Sequence, residues 1–200
     1  MKTKEIIKHI KKWIVKYHNE SSTNGFVIGI SGGIDSALTS TLIAETGIPL
    51  LCIEMPINQN NNQVERGKNH ISWLKANYKN INSLECDLTE IFEKFKSLKT
   101  EENKNKLLAL ANTRSRIRMT TLYYFAQLNN ALVAGTGNKV EDFGIGFYTK
   151  YGDGGVDLSP IADLMKSEVF ELAKSLDINQ EILDAPPASL FMEGRHEILK

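Results

Sequence analysis

The sequence predicts an α/β protein with an open parallel β-sheet that carries helices on both faces. Two kinds of segment in the sequence support this fold class. Short apolar segments bounded by glycine and turn residues alternate along the chain with longer segments whose apolar residues recur every three or four positions. Strands that alternate with helices in this way are typical of a parallel sheet buried between two helical layers.

The elements follow from these patterns in chain order. Helices are predicted at residues 3–18, 36–45, 64–76 and 103–129 and again from residue 166, and strands at residues 26–30, 49–55, 81–88 and 131–134. Gly47 is expected to close the second helix. The polar residues 59–63, Gln-Asn-Asn-Asn-Gln, are predicted to form a loop beside the carboxyl edge of the sheet.

Composition limits the class of protein. The 200 residues, 42% hydrophobic and 24% charged, are expected to form a single domain over residues 1–200. Lys and Arg total 24 and so do Asp and Glu, which argues against a nucleic-acid partner. No apolar run approaches the length of a membrane span, and the cysteines, Cys52 and Cys86, fall in predicted strands. A cytoplasmic protein without a membrane partner is expected.

The segment after the first strand reads Ser31-Gly32-Gly33-Ile34-Asp35-Ser36. Its glycines let backbone N–H groups converge on an anion, and the following helix adds its N-terminal dipole, so the loop predicts a phosphate site. Asp35 would repel phosphate unless a divalent cation lies between them, and the sequence therefore predicts Mg²⁺. In the alternative interpretation, Ser31 or Asp35 simply caps the helix.

A second polar segment follows the strand at residues 131–134. Right-handed crossovers bring both segments to one edge of the sheet, where the Thr136 hydroxyl can meet a phosphate. Glu141 can share the predicted Mg²⁺ with Asp35. The alternatives are that Glu141 is a solvated loop residue, or that Asp142 takes its place.

The segment Ser-Gly-Gly-Ile-Asp-Ser resembles the pyrophosphate loop of the N-type ATP pyrophosphatases, which cut ATP between its α and β phosphates. The resemblance implies a Rossmann-like fold of the adenine nucleotide alpha hydrolase type. It assigns Asp35 and Lys166 to catalysis. It assigns ATP binding to Ser31, Gly32, Gly33, Ile34, Asp35, Ser36, Ala37, Thr136 and Lys166.

Two further blocks are similar to ammonia-dependent NAD synthetases. One lies within residues 131–167 and includes Gly-Phe-Tyr-Thr-Lys-Tyr-Gly-Asp-Gly-Gly-Val-Asp; the other, residues 112–119, reads Asn-Thr-Arg-Ser-Arg-Ile-Arg-Met, with Ser115 where the family has alanine. The resemblance implies ATP-dependent amidation of deamido-NAD to NAD⁺ through an acyl-adenylate. Ammonia would be the nitrogen donor, and AMP and pyrophosphate would be released.

The same blocks suggest how deamido-NAD binds. Asn112 and Arg116 lie four residues apart on one helix face, so both side chains can reach one ligand. The resemblance assigns them to deamido-NAD together with Lys150 and Asp157, and Asp153 is expected near the nicotinate end. Arg114 and Arg118 are expected to be surface or interface charges. Phe147, Tyr148 and Tyr151 either stack on the pyridine ring or form a local core.

Two alternatives remain at this point. One is another amide-forming ATP pyrophosphatase, and the other is a non-catalytic adenine-nucleotide-binding module, which would have little use for the metal predicted at Asp35 and Glu141. Free ammonia is preferred over glutamine as the donor, because a glutaminase needs an exposed reactive nucleophile and neither cysteine fits that description.

The apolar residues of the helix at 103–129 spread around more than one face, which predicts a homodimer. Asn112 and Arg116 are expected near its junction, with Leu122 and Tyr123 in the interface. The chain departs from the family at residues 185–190, so no role is assigned to Ser189. The family also continues beyond the final residues, and this C-terminal segment is absent from the chain, which leaves open an incomplete chain or a shortened protein.

Overall fold

The computed structural model of the chain describes residues 2–99 and 103–185. Its centre is a four-stranded parallel sheet with the strand order β3–β2–β1–β4. The strands are β1 (Gly25–Gly29), β2 (Leu50–Glu54), β3 (Ile81–Glu85) and β4 (Ala131–Ala134). The predicted open parallel α/β sheet is confirmed.

Helices cover both faces of the sheet. They are α1 (Thr3–Ser21), α2 (Ile34–Ala44), α3 (Asn61–Asn77), α4 (Thr89–Lys96), α5 (Lys106–Asn129), α6 (Lys166–Ser175) and α7 (Gln180–Leu183). The side chains of Phe26 and Ile28 pack in a core with α1, α2, α3, α6 and α7. Val27 and Val133 point to the opposite face, into a second core with α4 and α5. The central strands are therefore buried on both sides, which explains their uninterrupted apolar sequence.

Several boundaries differ from the sequence-based expectation. Residues 61–63 form the first turn of α3 rather than a loop, because the Asn60 side chain caps the helix by accepting a hydrogen bond from Asn62 N at 2.9 Å. β3 ends at Glu85, so Cys86 lies just beyond the strand. The short helices α4 and α7 and a π-helical turn at Val140–Gly144 were not predicted. Residues 186–190, including Ser189, lie outside the described part of the chain.

The topology places a crevice at one edge of the sheet. The chain runs from β1 to β2 on one side, whereas β4 pairs with β1 on the other side, with Val27 opposite Val133. The strand order therefore reverses between β1 and β4. In open parallel sheets, ligands bind at the carboxyl ends of strands that flank such a reversal.

Two further observations bear on the class of protein. Within residues 2–99 and 103–185, no helix is long and apolar enough to cross a membrane. Cys52 and Cys86 are both free, and Cys52 is buried. Burial raises the pKa of the Cys52 thiol to about 12. Lys75 lowers this pKa and Glu54 raises it, both by less than burial does, so the cysteine is unreactive.

Candidate active site

The glycine-rich loop leaves β1 and turns directly into α2. Gly32 has φ +76°, and a Cβ atom there would collide with the carbonyl oxygen of Gln63. Only glycine tolerates both constraints. The Gln63 side chain fixes the loop from outside, because its Nε2 donates to Ser31 O at 3.1 Å.

The N-terminus of α2 has no side-chain cap. Gly33 is the N-cap residue, and the first helical hydrogen bond runs from Ala37 N to Gly33 O at 3.2 Å. The Ser31 and Ser36 hydroxyls instead hydrogen-bond each other at 3.1 Å. The interpretation that Ser31 or Asp35 merely caps this helix is therefore wrong, and the helix start retains N–H groups for an anion.

Three charged side chains meet beside the loop. The Lys166 ammonium donates to Asp35 Oδ2 at 2.5 Å and to Glu141 Oε1 at 3.2 Å. Their side chains are 34%, 18% and 35% exposed, respectively, so the cluster faces the crevice rather than the core. The structure thus brings together three predicted residues from α2, the π-helical turn and α6.

Electrostatics keep the Lys166 side chain charged. Burial alone would lower the pKa of Lys166, but the Asp35 and Glu141 carboxylates raise that pKa above the ordinary lysine value. Lys166 therefore remains an ammonium ion at neutral pH. For Asp142, burial, followed by repulsion from Asp153, Glu141 and Asp35, raises the carboxyl pKa to about 6. Asp142 packs over Gly137, where a Cβ would collide with its carboxylate.

The residues present fit a magnesium ion. The Asp35 and Glu141 carboxylates already converge on one cation, the Lys166 ammonium, and carboxylate oxygens are the protein ligands that Mg²⁺ prefers. In the described part of the chain, no three His, Cys, Asp or Glu side chains cluster closely enough to hold a metal. Two carboxylates supplemented by substrate phosphates are the usual arrangement for Mg²⁺ in nucleotide sites.

Sequence reasoning missed Asn138, which is fully buried beneath this cluster. Its Nδ2 donates to Asp35 Oδ1 at 3.0 Å, and its Oδ1 accepts from the backbone N–H groups of Val140 and Glu141. The one sequence feature that could have indicated Asn138 is its position, three residues after Gly135, which directly follows β4. Thr136 lies in the same segment and is half-buried.

The second group of predicted residues lies on α5 and the loop at residues 147–157. Asn112 Oδ1 accepts from the Thr149 hydroxyl at 2.9 Å, and Arg116 Nε donates to Lys150 O at 3.2 Å. The Lys150 ammonium is 5.0 Å from the centroid of the Tyr151 ring. Asn112, Arg116 and Lys150 are therefore neighbours, as the sequence predicts.

Ser115 holds Asp153 in this loop, a contact that sequence reasoning missed. The Ser115 hydroxyl donates to Asp153 Oδ1 at 2.6 Å and accepts from Asp153 N at 2.8 Å. The same carboxylate oxygen accepts from Thr149 N at 2.9 Å. The residue that replaces the family alanine thus fastens the loop to α5.

Asp157 is set apart from the other predicted ligands. Its Oδ2 accepts from Val133 N at 2.7 Å, and its Oδ1 accepts from the Tyr123 hydroxyl at 3.0 Å. Both carboxylate oxygens are therefore used to join β4 to α5. The structure gives Asp157 a scaffold position in addition to the substrate role that the resemblance implies.

Of the surface or interface positions expected for Arg114 and Arg118, a freely exposed surface position does not hold, since both residues are half-buried. Arg118 Nε donates to Met55 O at 3.1 Å, at the end of β2. Burial, with the neighbouring Arg114, lowers the pKa of Arg118 to about 10. The Arg114 guanidinium lies over the Phe92 ring at 4.7 Å.

The aromatic residues of the loop are open to solvent. Tyr148 is 52% exposed and Tyr151 is 66% exposed, so these two tyrosines do not form a local core. Tyr151 has φ +59°, in the left-handed region that non-glycine residues seldom adopt. The rings are available to stack on a planar group.

A parallel sheet with a glycine-rich anion loop and a charged cluster at its strand-order reversal defines the class of nucleotide-binding α/β proteins. Within this class, the sequence model of the NAD synthase family matches residues 6–197. The chain belongs to the NAD synthase family.

Individual relatives agree with this assignment. The curated NH(3)-dependent NAD(+) synthetase of Carboxydothermus hydrogenoformans is 38% identical over 92% of this chain and 74% of its own length. Among solved structures, an NMN synthetase from Francisella tularensis has a TM-score of 0.82 and 34% identity, covering 92% of this chain and 75% of that protein. An NH3-dependent NAD synthetase from Campylobacter jejuni also has a TM-score of 0.82, with 31% identity over 92% of this chain and 77% of that protein.

Proposed function

We propose that this protein is a C–N ligase that amidates deamido-NAD to NAD⁺, consuming ATP and ammonia and releasing AMP and pyrophosphate. The observation that carries the proposal is the convergence of Asp35, Glu141 and Lys166 beside the glycine-rich loop, in a chain of the NAD synthase family. A module that only binds adenine nucleotides would have little need for two carboxylates beside its phosphate loop.

The first step activates a carboxylate, because an unactivated carboxylate has no adequate leaving group. A nicotinate carboxylate oxygen attacks the α-phosphorus of ATP, and the bond from that phosphorus to the bridging oxygen of the β-phosphate breaks. The N–H groups of residues 34–36 and the Lys166 ammonium hold the departing pyrophosphate. Asp35 and Glu141 would hold a Mg²⁺ ion, which would neutralise phosphate charge.

The second step forms the amide. Ammonia attacks the acyl carbon of the adenylate, the bond to AMP breaks, and the nitrogen loses a proton to solvent. The protein contributes by positioning the substrates, and no covalent bond forms between substrate and enzyme. Asn112, Arg116 and Lys150 form the deamido-NAD side of the site, with Asp153 next to them and the exposed tyrosines available to the pyridine ring.

Free ammonia is the proposed donor. The Cys52 thiol is buried, with its pKa raised to about 12, so it cannot act as the nucleophile of a glutaminase. Cys86 is only half-buried, but it directly continues the sheet, with its N–H donating to Glu54 O at 2.8 Å. We also propose a cytoplasmic location, which these free thiols support.

The test is product analysis with the purified full chain. Incubation with ATP, Mg²⁺, ammonium chloride and deamido-NAD should give NAD⁺, AMP and pyrophosphate in equal amounts by mass spectrometry. A parallel reaction with nicotinate mononucleotide examines the activity named for the Francisella tularensis structure. Glutamine in place of ammonium should support little turnover. Formation of ADP and phosphate instead of AMP and pyrophosphate would contradict the proposed cleavage.

We further propose a homodimer and a single domain over residues 1–200. Leu122 and Tyr123 are poor choices for testing the dimer, because both pack against the second core and Tyr123 bonds Asp157. Exposed apolar residues near the end of α5 include Tyr124 and Leu128, which are 60% and 64% exposed. These two lie four residues apart on one helix face, suited to contact a second copy.

The dimer is tested by sedimentation of Tyr124→Glu and Leu128→Glu, which should shift the protein toward monomer while helicity by circular dichroism is retained. Lys16→Glu on the exposed face of α1 is the matched control, and it should leave the sedimentation unchanged. An active monomer of the native chain at micromolar concentration would contradict the proposal.

A further inference from the structure

Asn138 links the Asp35 carboxylate to the backbone of the turn that carries Glu141. It is 0% exposed, although asparagine is rarely buried without a structural reason. Its amide nitrogen donates to Asp35 Oδ1 at 3.0 Å. Its amide oxygen accepts from Val140 N at 3.1 Å and from Glu141 N at 3.2 Å, at the start of the π-helical turn that carries Glu141.

We infer that Asn138 is a positioning residue of the adenylation site, which fixes the Asp35 and Glu141 carboxylates relative to each other so that both face one cation. The inference rests on the proposed function for its chemical meaning. It concerns a residue that touches neither substrate nor metal and acts through the two carboxylates.

Both ends of the Asn138 side-chain amide are needed for this positioning role. The donor end occupies Oδ1 of Asp35, which leaves Oδ2 to face Lys166. The acceptor end holds two backbone N–H groups and so orients the turn on which Glu141 sits. Aspartate at this position would offer no donor, and it would add a third negative charge beside Asp35. Burial removes competition from water, so the orientation is kept before a ligand arrives.

The fixed orientation matters because the carboxylates come from distant parts of the sequence. Asp35 belongs to the first turn of α2, whereas Glu141 follows β4. The Asn138 segment is itself anchored, since Lys139 N donates to Leu164 O at 3.0 Å, next to the start of α6 and Lys166. Asn138 therefore couples all three segments that carry the charged cluster.

The informative variant is Asn138→Ser. A serine oxygen can still accept from the N–H groups at the start of the turn, but it cannot donate to Asp35 across the same distance. The matched control is Asn80→Ser at the amino end of the sheet, where the Asn80 amide donates to Ala44 O and Ile48 O. Both substitutions remove buried or half-buried amide hydrogen bonds, and both should lower the melting temperature.

The measurement is the gain in nucleotide affinity that Mg²⁺ provides. Calorimetry gives the Kd of α,β-methylene-ATP with Mg²⁺ and again with EDTA, and the ratio of the two values reports the metal contribution. Outer-shell residues of metal sites typically change metal affinity by roughly 10- to 100-fold, so Asn138→Ser should reduce the ratio by about tenfold. Asn80→Ser should leave the ratio unchanged, and Asp35→Asn should abolish the gain.

An unchanged ratio in Asn138→Ser would overturn the inference, as would a native protein in which Mg²⁺ gives no gain. If Asn138→Ser and Asn80→Ser reduced the Kd ratio equally, the effect would come from a general loss of stability. That result would also overturn the inference. This binding measurement does not depend on the proposed reaction, because the ATP analogue is never cleaved. A native chain that made no NAD⁺ while the ratio fell only in Asn138→Ser and Asp35→Asn would retain the positioning role without the reaction.

Discussion

The two halves of the candidate site are built in different ways. The ATP half, formed by the loop after β1, Asn138, Glu141 and Lys166, has a fully buried asparagine beneath it and is anchored to the ends of the paired strands β1 and β4. The deamido-NAD half consists of an exposed loop whose polar groups bond to the neighbouring face of α5. One half is preorganised by the core, whereas the other is held by contacts that a ligand can replace.

This difference implies different consequences for substitution. Changes in the ATP half should affect the chemical step, because charges held in place before binding act mainly on the transition state. Changes in the deamido-NAD half should affect substrate affinity and local order. Exposed loops with few core contacts open locally at low free-energy cost, so their disruption need not reach the rest of the fold.

The largest expected effect comes from Asp35→Asn. Removing the carboxylate that faces Lys166 should lower kcat by roughly 10³-fold or more, since preorganised charge is commonly the largest catalytic contribution. Nucleotide binding should weaken but persist. The check is steady-state kinetics together with calorimetry. Asp87→Asn is the isosteric control, because Asp87 accepts a hydrogen bond from Thr89 N near the edge of the sheet. Normal turnover by Asp35→Asn with Mg²⁺ would refute the metal assignment.

Arg116→Ala tests the deamido-NAD half of the site. The substitution removes a charged donor that contacts Lys150 O, and it should raise KM for deamido-NAD by roughly 10- to 100-fold. The KM for ATP should stay within about twofold if the halves are independent. Lys106→Ala, an exposed cation at the start of α5, should change neither value. A parallel rise in both KM values would show that the halves are coupled.

Acid pH should weaken the scaffold of the ATP half through His70. This side chain is fully buried and hydrogen-bonds Ser40 of α2 at 2.9 Å. Burial lowers the pKa of His70 to about 4, so its stabilising contribution is complete above the ordinary value of 6.5 and is lost as pH falls toward 4. Between pH 7.5 and pH 5, the free energy of unfolding should fall by about 2 kcal/mol from this group.

The measurement for His70 is urea unfolding at both pH values for the native chain and His70→Gln. Glutamine retains a polar contact to Ser40 but does not titrate, so the variant should lose about 2 kcal/mol less over this interval. Identical pH dependence in the two proteins would show that His70 does not carry the effect.

Ser115→Ala should give the smallest effect. Loss of the hydroxyl should cost about 1 kcal/mol and speed hydrogen exchange at Thr149 N and Asp153 N, without altering exchange at the glycine-rich loop. Thr113→Ala is the matched control on the same helix, because the Thr113 hydroxyl bonds only back to Ala109 O. Unchanged exchange in the 147–157 loop would mean that other contacts hold it.

The sequence predicted those parts of the fold and site that depend on local residue patterns. The four strands and the glycine-rich loop were readable because apolar runs and adjacent glycines act over a few residues. Asn138 and Ser115 were missed because their partners, Asp35 and Asp153, lie 103 and 38 positions away. Resemblance located Lys166 and the position after β4 indicated Glu141, but neither gave information on the ion pair that joins them.

The failures have similar causes. Residues 61–63 looked like a loop because asparagine is a poor helix former, and the cap supplied by Asn60 outweighs that preference. Tyr123, predicted for a dimer interface from its apolar surroundings in sequence, also donates its hydroxyl to Asp157 within the chain, a contact that the local pattern did not indicate. Periodicity identifies a helix more reliably than it identifies which apolar face meets the core.

The pairing of β1 with β4 also has a consequence for synthesis of the chain. Gly25 lies opposite Ala131, so this contact joins segments more than one hundred residues apart, and such long-range pairing forms late and slowly. Asp35 reaches Lys166 across 131 positions. A ribosome-bound chain that ends before residue 166 therefore cannot assemble the charged cluster. Nucleotide that binds the folded chain more tightly than incomplete chains stabilises the folded chain by mass action, so ATP favours completed molecules.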